Sequence, residues 1–123
     1  MRISRTSPPS QRPSRRLGPD AERRVRRHFR LRGYRIVAAN ARAGRYEVDL
    51  VARRGRVLVV CEVKARSGPG YGDPLEAVGP EKARRVEQAA LAWLGRHPEL
   101  AELELRFEAV AVRGRRVERV SMH

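Results

Sequence analysis

Residues 46–64 read YEVDLVARRGRVLVVCEVK, and this stretch decides how the rest of the chain is interpreted. Apolar and polar residues alternate before Arg53-Arg54-Gly55, and an almost continuous apolar run follows this sequence. Two such runs on either side of a short glycine turn are typical of an antiparallel hairpin. We therefore predict strands at residues 46–52 and 56–64.

Acidic residues occur near the outer ends of both predicted strands. Successive side chains of a strand point to opposite faces, so Glu47 and Asp49 are expected to share one face. The same reasoning places Glu62 and Lys64 together on the next strand. A two-residue turn at Arg54-Gly55 predicts Glu47 directly opposite Glu62. Asp49 is then a diagonal neighbour of Glu62, with Cβ atoms up to about 7–8 Å apart.

Crowded carboxylates raise each other's pKa unless a cation lies among them. Hard oxygen ligands of this kind, with room for water and phosphate, suit Mg²⁺ or Mn²⁺. The alternatives are that Glu47 pairs with an arginine, and that Glu62 and Lys64 form a solvated strand end. Asp49 indicates a functional site, because aspartate is uncommon in strand interiors and this one stands between Val48 and Leu50.

The rest of the chain predicts two helices and three further strands. Proline, early acidic residues and an apolar stripe indicate a helix from Pro19 to about Gly33, and similar signals indicate another from Pro80 to before Pro98. Strands are expected at residues 34–39, 103–112 and 116–120. The resulting order, α-β-β-β-α-β-β, belongs to the α/β class.

The composition of the 123-residue chain limits the kinds of partner. A net charge of +14 and a pI near 11.6 favour a nucleic-acid partner, because basic side chains release the counterions of phosphates. A solvated surface or attraction to anionic lipid is the alternative. One cysteine, no secretory signal and no apolar run near 18 residues indicate a cytoplasmic protein without a membrane span.

The N-terminal segment differs from the rest of the chain. Residues 1–17 contain five arginines, three prolines and no acidic residue. Such a composition cannot bury a core, so we predict a disordered basic arm at 1–17 and one folded domain at 18–123.

Lysine is rare here: of 28 lysines and arginines, only Lys64 and Lys82 are lysine. A GC-rich genome favours arginine codons, yet lysine also offers a compact charge with an adjustable pKa that arginine lacks. On the second predicted helix, Lys82 lies close to the stripe that contains Trp93. It is expected either to contact a phosphate or the carboxylates, or to cover Trp93 with its aliphatic stem.

These motifs carry a family resemblance. Asp49, followed by Glu62-x-Lys64 at the end of a hydrophobic strand, resembles the core of the PD-(D/E)xK nuclease superfamily. More narrowly, the chain resembles the YraN-like family of uncharacterised bacterial proteins, which is similar to archaeal Holliday-junction resolvases. The segments that carry this resemblance are Gly18…Glu22, Gly33-Tyr34, Asn40 and residues 47–52, 60–66, 72–78 and 106–108.

The resemblance implies a restriction-endonuclease-like fold, in which helices flank a mixed central sheet. It also implies a metal-dependent endonuclease, acting on branched or structured DNA as a homodimer. Asp49 and Glu62 would bind Mg²⁺ or Mn²⁺, with the backbone carbonyl of Val63 as a third ligand and Glu22 completing the metal shell. Lys64 would orient the attacking water and offset negative charge on the transition state.

Several arginines are expected to contact nucleic acid: Arg23, Arg27, Arg45 and Arg66. A second hypothesis keeps the fold and the nucleic-acid binding but has no catalysis, so that the protein is an accessory factor. A third is a basic adaptor for ribosomes or membranes.

Overall fold

Two helices and five strands form the part of the chain that the computed structural model describes, residues 18–64 and 79–122. They are α1 (Pro19–Leu31), β1 (Arg35–Ala43), β2 (Tyr46–Arg54), β3 (Val57–Lys64), α2 (Pro80–Leu94), a short 3₁₀ helix (Pro98–Leu100), β4 (Glu104–Arg113) and β5 (Arg116–Ser121). The predicted mixed α/β class and element order are confirmed. The predicted N-terminal arm and the glycine-rich sequence at residues 67–74 lie outside the described residues.

The strands form one sheet in the order β1-β2-β3-β4-β5, with β3 in the middle. All neighbours are antiparallel except β3 and β4, which are parallel and are joined through α2. This topology places the end of β3, the β1–β2 turn and the β4–β5 turn at one end of the sheet. We call this the Lys64 end, and we call the other, with the β2–β3 turn, the Gly55 end.

Each face of the sheet carries its own hydrophobic cluster. On one face, Val25 and Phe29 of α1 pack with strand residues that include Val59 and Cys61. On the other, Val86, Ala89, Ala90 and Trp93 of α2 pack with strand residues that include Val48, Val51, Leu58 and Val60. Full burial of one such apolar side chain stabilises the fold by about 1.5–3 kcal/mol, so these two clusters hold both helices on the sheet.

Cys61 lies in the apolar run of β3 and is fully buried. Burial raises the pKa of its thiol well above the ordinary value, with a further contribution from Glu108. The thiol is therefore protonated at neutral pH, and it packs as a small hydrophobic side chain.

The β2–β3 turn differs from the prediction by one residue. The turn residues are Gly55 and Arg56, since Arg54 pairs with Val57. Gly55 has a φ of +59° and so takes the first central position, where a type II′ turn needs glycine. A turn at Arg54-Gly55 would instead have put an arginine at the position that favours positive φ.

The changed turn moves the strand register by two residues. The β2–β3 ladder runs to Leu50 opposite Cys61 and stops there. Continued by one residue, the register would place Asp49 opposite Glu62. The predicted pairing of Glu47 with Glu62 is therefore wrong.

Side-chain alternation is interrupted just beside this point. Val48 belongs to the cluster under α2 and Leu50 to the cluster under α1, so the regular alternation assumed for residues 46–52 is wrong at this point. On β1, Asn40 has a φ of +51°, the one positive value among non-glycine residues of the described part. The pairs that flank it in the register place Asn40 opposite Asp49. A residue with left-handed backbone angles changes the direction of the side chains that follow it. The side chains of β1 and β2 therefore switch to the opposite faces of the sheet at this point.

Candidate active site at the end of the central strand

Both lysines of the chain contact the same carboxylate. Oε2 of Glu62 lies 3.3 Å from Nζ of Lys64 and 3.3 Å from Nζ of Lys82. Glu62 and Lys64 come from the last residues of β3, and Lys82 comes from the first turn of α2. All three side chains are less than one fifth exposed. The packing of α2 on the sheet therefore creates this cluster.

The charges in the cluster shift its pKa values. Burial alone raises the pKa of Glu62, but the charges and hydrogen bonds of Lys64 and Lys82 outweigh burial and hold it below its ordinary value. Burial lowers the pKa of Lys64, and the neighbouring Lys82 lowers it further. Glu62 is thus ionised at neutral pH. With both lysines protonated, two ammonium groups face one carboxylate, which leaves one net positive charge.

Asp49 reaches the same strand end through a hydrogen bond to the backbone. The amide of Val63 donates to Oδ2 of Asp49 at 2.9 Å. This amide lies between Glu62 and Lys64 in the sequence, at the level where the backbone ladder has stopped. A side-chain acceptor thus takes the place of a strand carbonyl, which explains why an aspartate is tolerated between Val48 and Leu50.

The donor set fits a hard divalent cation in its chemistry. Mg²⁺ is commonly held by one or two carboxylates, with waters and substrate phosphates completing the shell. Asp49 and Glu62 supply two carboxylates at one strand end. In the described ranges, however, no group of three or more His, Cys, Asp or Glu side chains is arranged to hold a metal ion.

The other residues of the predicted site are located differently. Glu22 is half-buried in the first turn of α1, and α1 packs on the opposite face of the sheet from Lys82. The structure thus does not gather Glu22 into a carboxylate group with Asp49 and Glu62. Glu47 is half-buried at the start of β2, at about the level of Lys64. The metal roles of Glu22 and of the Val63 carbonyl stay predictions.

The arginines expected to bind nucleic acid occupy two separate surfaces. Arg23 and Arg27 line a groove of about 430 Å³ on the outer side of α1, and Arg23 pairs there with Asp20. Arg45 is exposed in the β1–β2 turn, where it donates to the hydroxyl of Tyr46 at 3.3 Å. Arg66 lies outside the described residues.

Sequence reasoning missed a second ion pair, on the face that α1 covers. Arg119 donates two hydrogen bonds to Glu108, at 2.7 and 2.9 Å. Its guanidinium also lies 4.6 Å from the ring centre of Phe29 and 5.2 Å from that of Tyr34. The hydrogen bond to Glu108 raises the pKa of Arg119. Nothing in the sequence singles out this arginine among so many others.

His28 lies close to this pair. Its ring packs edge-on against Phe29, and its Nε2 is buried without a hydrogen bond to any described residue. Burial lowers the pKa of His28, and Arg32 and Arg119 lower it further. The histidine is therefore neutral at neutral pH and contributes to packing.

These features define a small mixed α/β protein with a carboxylate and lysine cluster at the end of its central strand. Residues 21–112 match the profile of an uncharacterised protein family, UPF0102, and the chain belongs to this family. The YraN-like membership that the motifs suggested is thereby confirmed.

Curated relatives of the same family cover most of the chain. It is 49% identical to a UPF0102 protein of Parvibaculum lavamentivorans over 82% of this chain and 74% of that protein. It is 46% identical to one of Rhodopseudomonas palustris over 79% of this chain and 70% of that protein. A third, from Alkalilimnicola ehrlichii, is 36% identical over 93% of this chain and 90% of its own length.

None of the described helices has the length and apolar character needed to cross a membrane.

Proposed function

We propose that the protein is a metal-dependent endonuclease that hydrolyses phosphodiester bonds in branched or otherwise structured DNA. One observation carries the proposal: the bond from the Val63 amide to Asp49 brings that carboxylate to the strand end that bears Glu62 and Lys64. An acidic pair with an adjacent lysine, partly shielded from water, suits phosphodiester hydrolysis on a strongly basic protein.

Asp49 and Glu62 would hold Mg²⁺ or Mn²⁺, with Glu22 and the carbonyl of Val63 as further proposed ligands. An ion held there would supply a bound water of lowered pKa and would polarise phosphate oxygens. Lys64 orients the attacking water and offsets the negative charge that develops on the phosphate. Lys82 keeps the carboxylate of Glu62 ionised and in place at 3.3 Å.

The composition supports a backbone-directed interaction with DNA. Aromatic residues make up 5% of the chain, so the composition does not strongly indicate base stacking on an aromatic platform. The net charge of +14 favours contacts with phosphates. Our proposal includes a homodimer in the cytoplasm, in keeping with the resolvase-like resemblance.

Metal titration on duplex, flap and four-way junction DNA tests the proposal. We expect cleavage with Mg²⁺ or Mn²⁺ that falls at least about 100-fold in Asp49→Asn and in Glu62→Gln, while DNA binding persists. Glu99→Gln is the matched control, because Glu99 is exposed on the 3₁₀ helix, and it should cleave like the wild type. Undiminished cleavage by Asp49→Asn would remove Asp49 from the mechanism.

A second candidate function is a nucleic-acid-binding accessory protein that does not cleave. The observation in its favour is that Glu62 is already neutralised by Lys64 and Lys82. This alternative predicts binding that weakens steeply with salt and no cleavage with either metal. Cleavage that follows the protein through chromatography and is lost in Asp49→Asn would exclude it.

A further inference from the structure

Three hairpin turns of the sheet have the same two-residue sequence. They are Gly44-Arg45, Gly55-Arg56 and Gly114-Arg115. The glycines have φ values of +64°, +59° and +59°, and none of the three arginines has a positive φ. This is the pattern of a type II′ turn, with glycine first. An arginine therefore occupies the same exposed place at the tip of each hairpin.

The topology separates these turns into two groups. Gly44-Arg45 and Gly114-Arg115 lie at the Lys64 end of the sheet, and Gly55-Arg56 lies at the Gly55 end. Because β3 is the middle strand, Lys64 lies midway between the two turns of its own end. Three strand spacings separate those turns by about 14 Å, and each tip extends about two residues, or about 7 Å, beyond the level of Lys64.

The turn arginines also differ in what they contact. Arg115 is exposed and makes no hydrogen bond or ion pair with the described part of the chain. Among the described residues, Arg45 makes its hydrogen bond and its ring contact with its neighbour Tyr46. At the Gly55 end, Arg56 donates to the carbonyl of Glu102 at 3.4 Å.

The neighbours of Arg56 are likewise engaged with the chain itself. Arg53 donates to the carbonyl of Gly55, and Arg54 donates to the carbonyl of Arg32 and stacks on Tyr34. Arginines at the Gly55 end thus tie strands and helix together. The turn tips at the Lys64 end keep their charge available for a partner.

We propose that a DNA backbone crosses the Lys64 end of the sheet, roughly at right angles to the strands, with Arg45 and Arg115 on phosphates at either side of Glu62 and Lys64. A separation of about 14 Å spans about four base pairs along the axis of duplex DNA, at a rise of about 3.4 Å each. This track rests on the proposed function and adds Arg115 as a contact that the sequence did not reveal.

Arg45→Ala, Arg115→Ala and the double variant test the track, with Arg56→Ala as the matched control. The control removes the same charge from the same kind of turn at the other end of the sheet. All are measured in the full chain carrying Asp49→Asn, so that duplex DNA stays intact. We expect each of the two site-end substitutions to lower the slope of log K against log salt by about 0.9, and the double variant by about 1.8. Arg56→Ala should keep the slope of its parent.

An equal decrease of the salt slope in Arg56→Ala and in Arg115→Ala would overturn the track, because binding would then depend on total charge alone. Unchanged slopes in Arg45→Ala and Arg115→Ala would overturn it as well. Cleavage by the otherwise wild-type chain is a separate readout. Metal-dependent cleavage with unaffected slopes rejects the track and keeps the nuclease. Lowered slopes without cleavage keep the track and reject the nuclease, and no binding at all rejects both.

Discussion

Glu62 and Glu108 lie on adjacent strands, and both side chains are 14% exposed, yet each is neutralised in a different way. Glu108, on the α1 face, accepts two short hydrogen bonds from one arginine, Arg119, which is also packed over two aromatic rings. Glu62, on the α2 face, has two lysines at 3.3 Å.

The difference reflects what each basic side chain does well. A planar guanidinium matches a carboxylate with two parallel bonds, and so Arg119 fastens β5 to β4 and both to α1. A lysine ammonium is a compact charge that exchanges partners more readily. Only two of the 28 lysines and arginines are lysine, and both contact Glu62. Under the proposed function, a metal would compete with these lysines for the carboxylate, and a phosphate would compete with the carboxylate for the lysines.

Arg119→Met breaks the α1-face pair and should have the largest effect. It leaves Glu108 buried without its partner and removes the packing over Phe29 and Tyr34, so we expect a loss of about 3 kcal/mol of unfolding free energy. Urea denaturation measures the loss. Arg116→Met is the control, because that arginine is 79% exposed and its ion pair should contribute less than about 1 kcal/mol. Equal small losses in both variants would contradict a structural role for Arg119.

Lys64→Met tests the α2-face cluster with a smaller cost in stability. Lys82 still neutralises Glu62, so we expect less than about 1 kcal/mol of destabilisation together with a drop in cleavage of about 100-fold. Lys64→Arg should not restore the wild-type rate, because a planar fork cannot replace a compact ammonium. A variant that cleaves at the wild-type rate would show that Lys64 belongs to the fold alone.

Lys82→Met should act mainly through the pKa of Glu62. Lys82 helps to hold this pKa below its ordinary value, so its removal should move the acid limb of the pH–rate profile to higher pH. We expect about a tenfold lower rate near that limb and a smaller loss at higher pH. An acid limb that stays in place would mean that Glu62 does not set it.

Lowering the pH should slightly reduce the stability that the ion pairs of Glu62 contribute to the fold. The folded pKa of Glu62 lies below its ordinary value of 4.5, so its ion pairs stabilise the fold above that pH and lose this contribution as the pH falls through the folded value. Between pH 7 and pH 3, we expect the unfolding free energy of the wild type to fall by less than about 1 kcal/mol relative to that of Glu62→Gln. Urea denaturation of both proteins measures this difference. Identical pH dependence in both proteins would contradict this assignment.

Much of the fold could be predicted because local signals agree with one another. Pro19 begins α1 and Pro80 begins α2, and the apolar run of β3 is the central buried strand. The predicted β2–β3 turn is misplaced by one residue, because the hairpin pattern alone does not show whether Gly55 takes the first or the second central position. The positive φ that the first place of a type II′ turn requires would have settled it.

The site was only partly predictable. Pattern and helical periodicity placed Glu62, Lys64 and Lys82 near buried surfaces, but their contact depends on how α2 crosses from β3 to β4. The change of face beside Asp49 could not be read from alternation, since alternation assumes a regular strand. Asn40, a residue that tolerates positive φ in the middle of β1, was the signal in the sequence.

Calorimetric titration of Mn²⁺ into the wild type, Asp49→Asn and Glu62→Gln tests most directly whether this strand end is a metal centre. We expect uptake by the wild type that both substitutions abolish, while Glu99→Gln binds normally. Absence of Mn²⁺ uptake by the wild type, or uptake that neither substitution changes, would contradict the account.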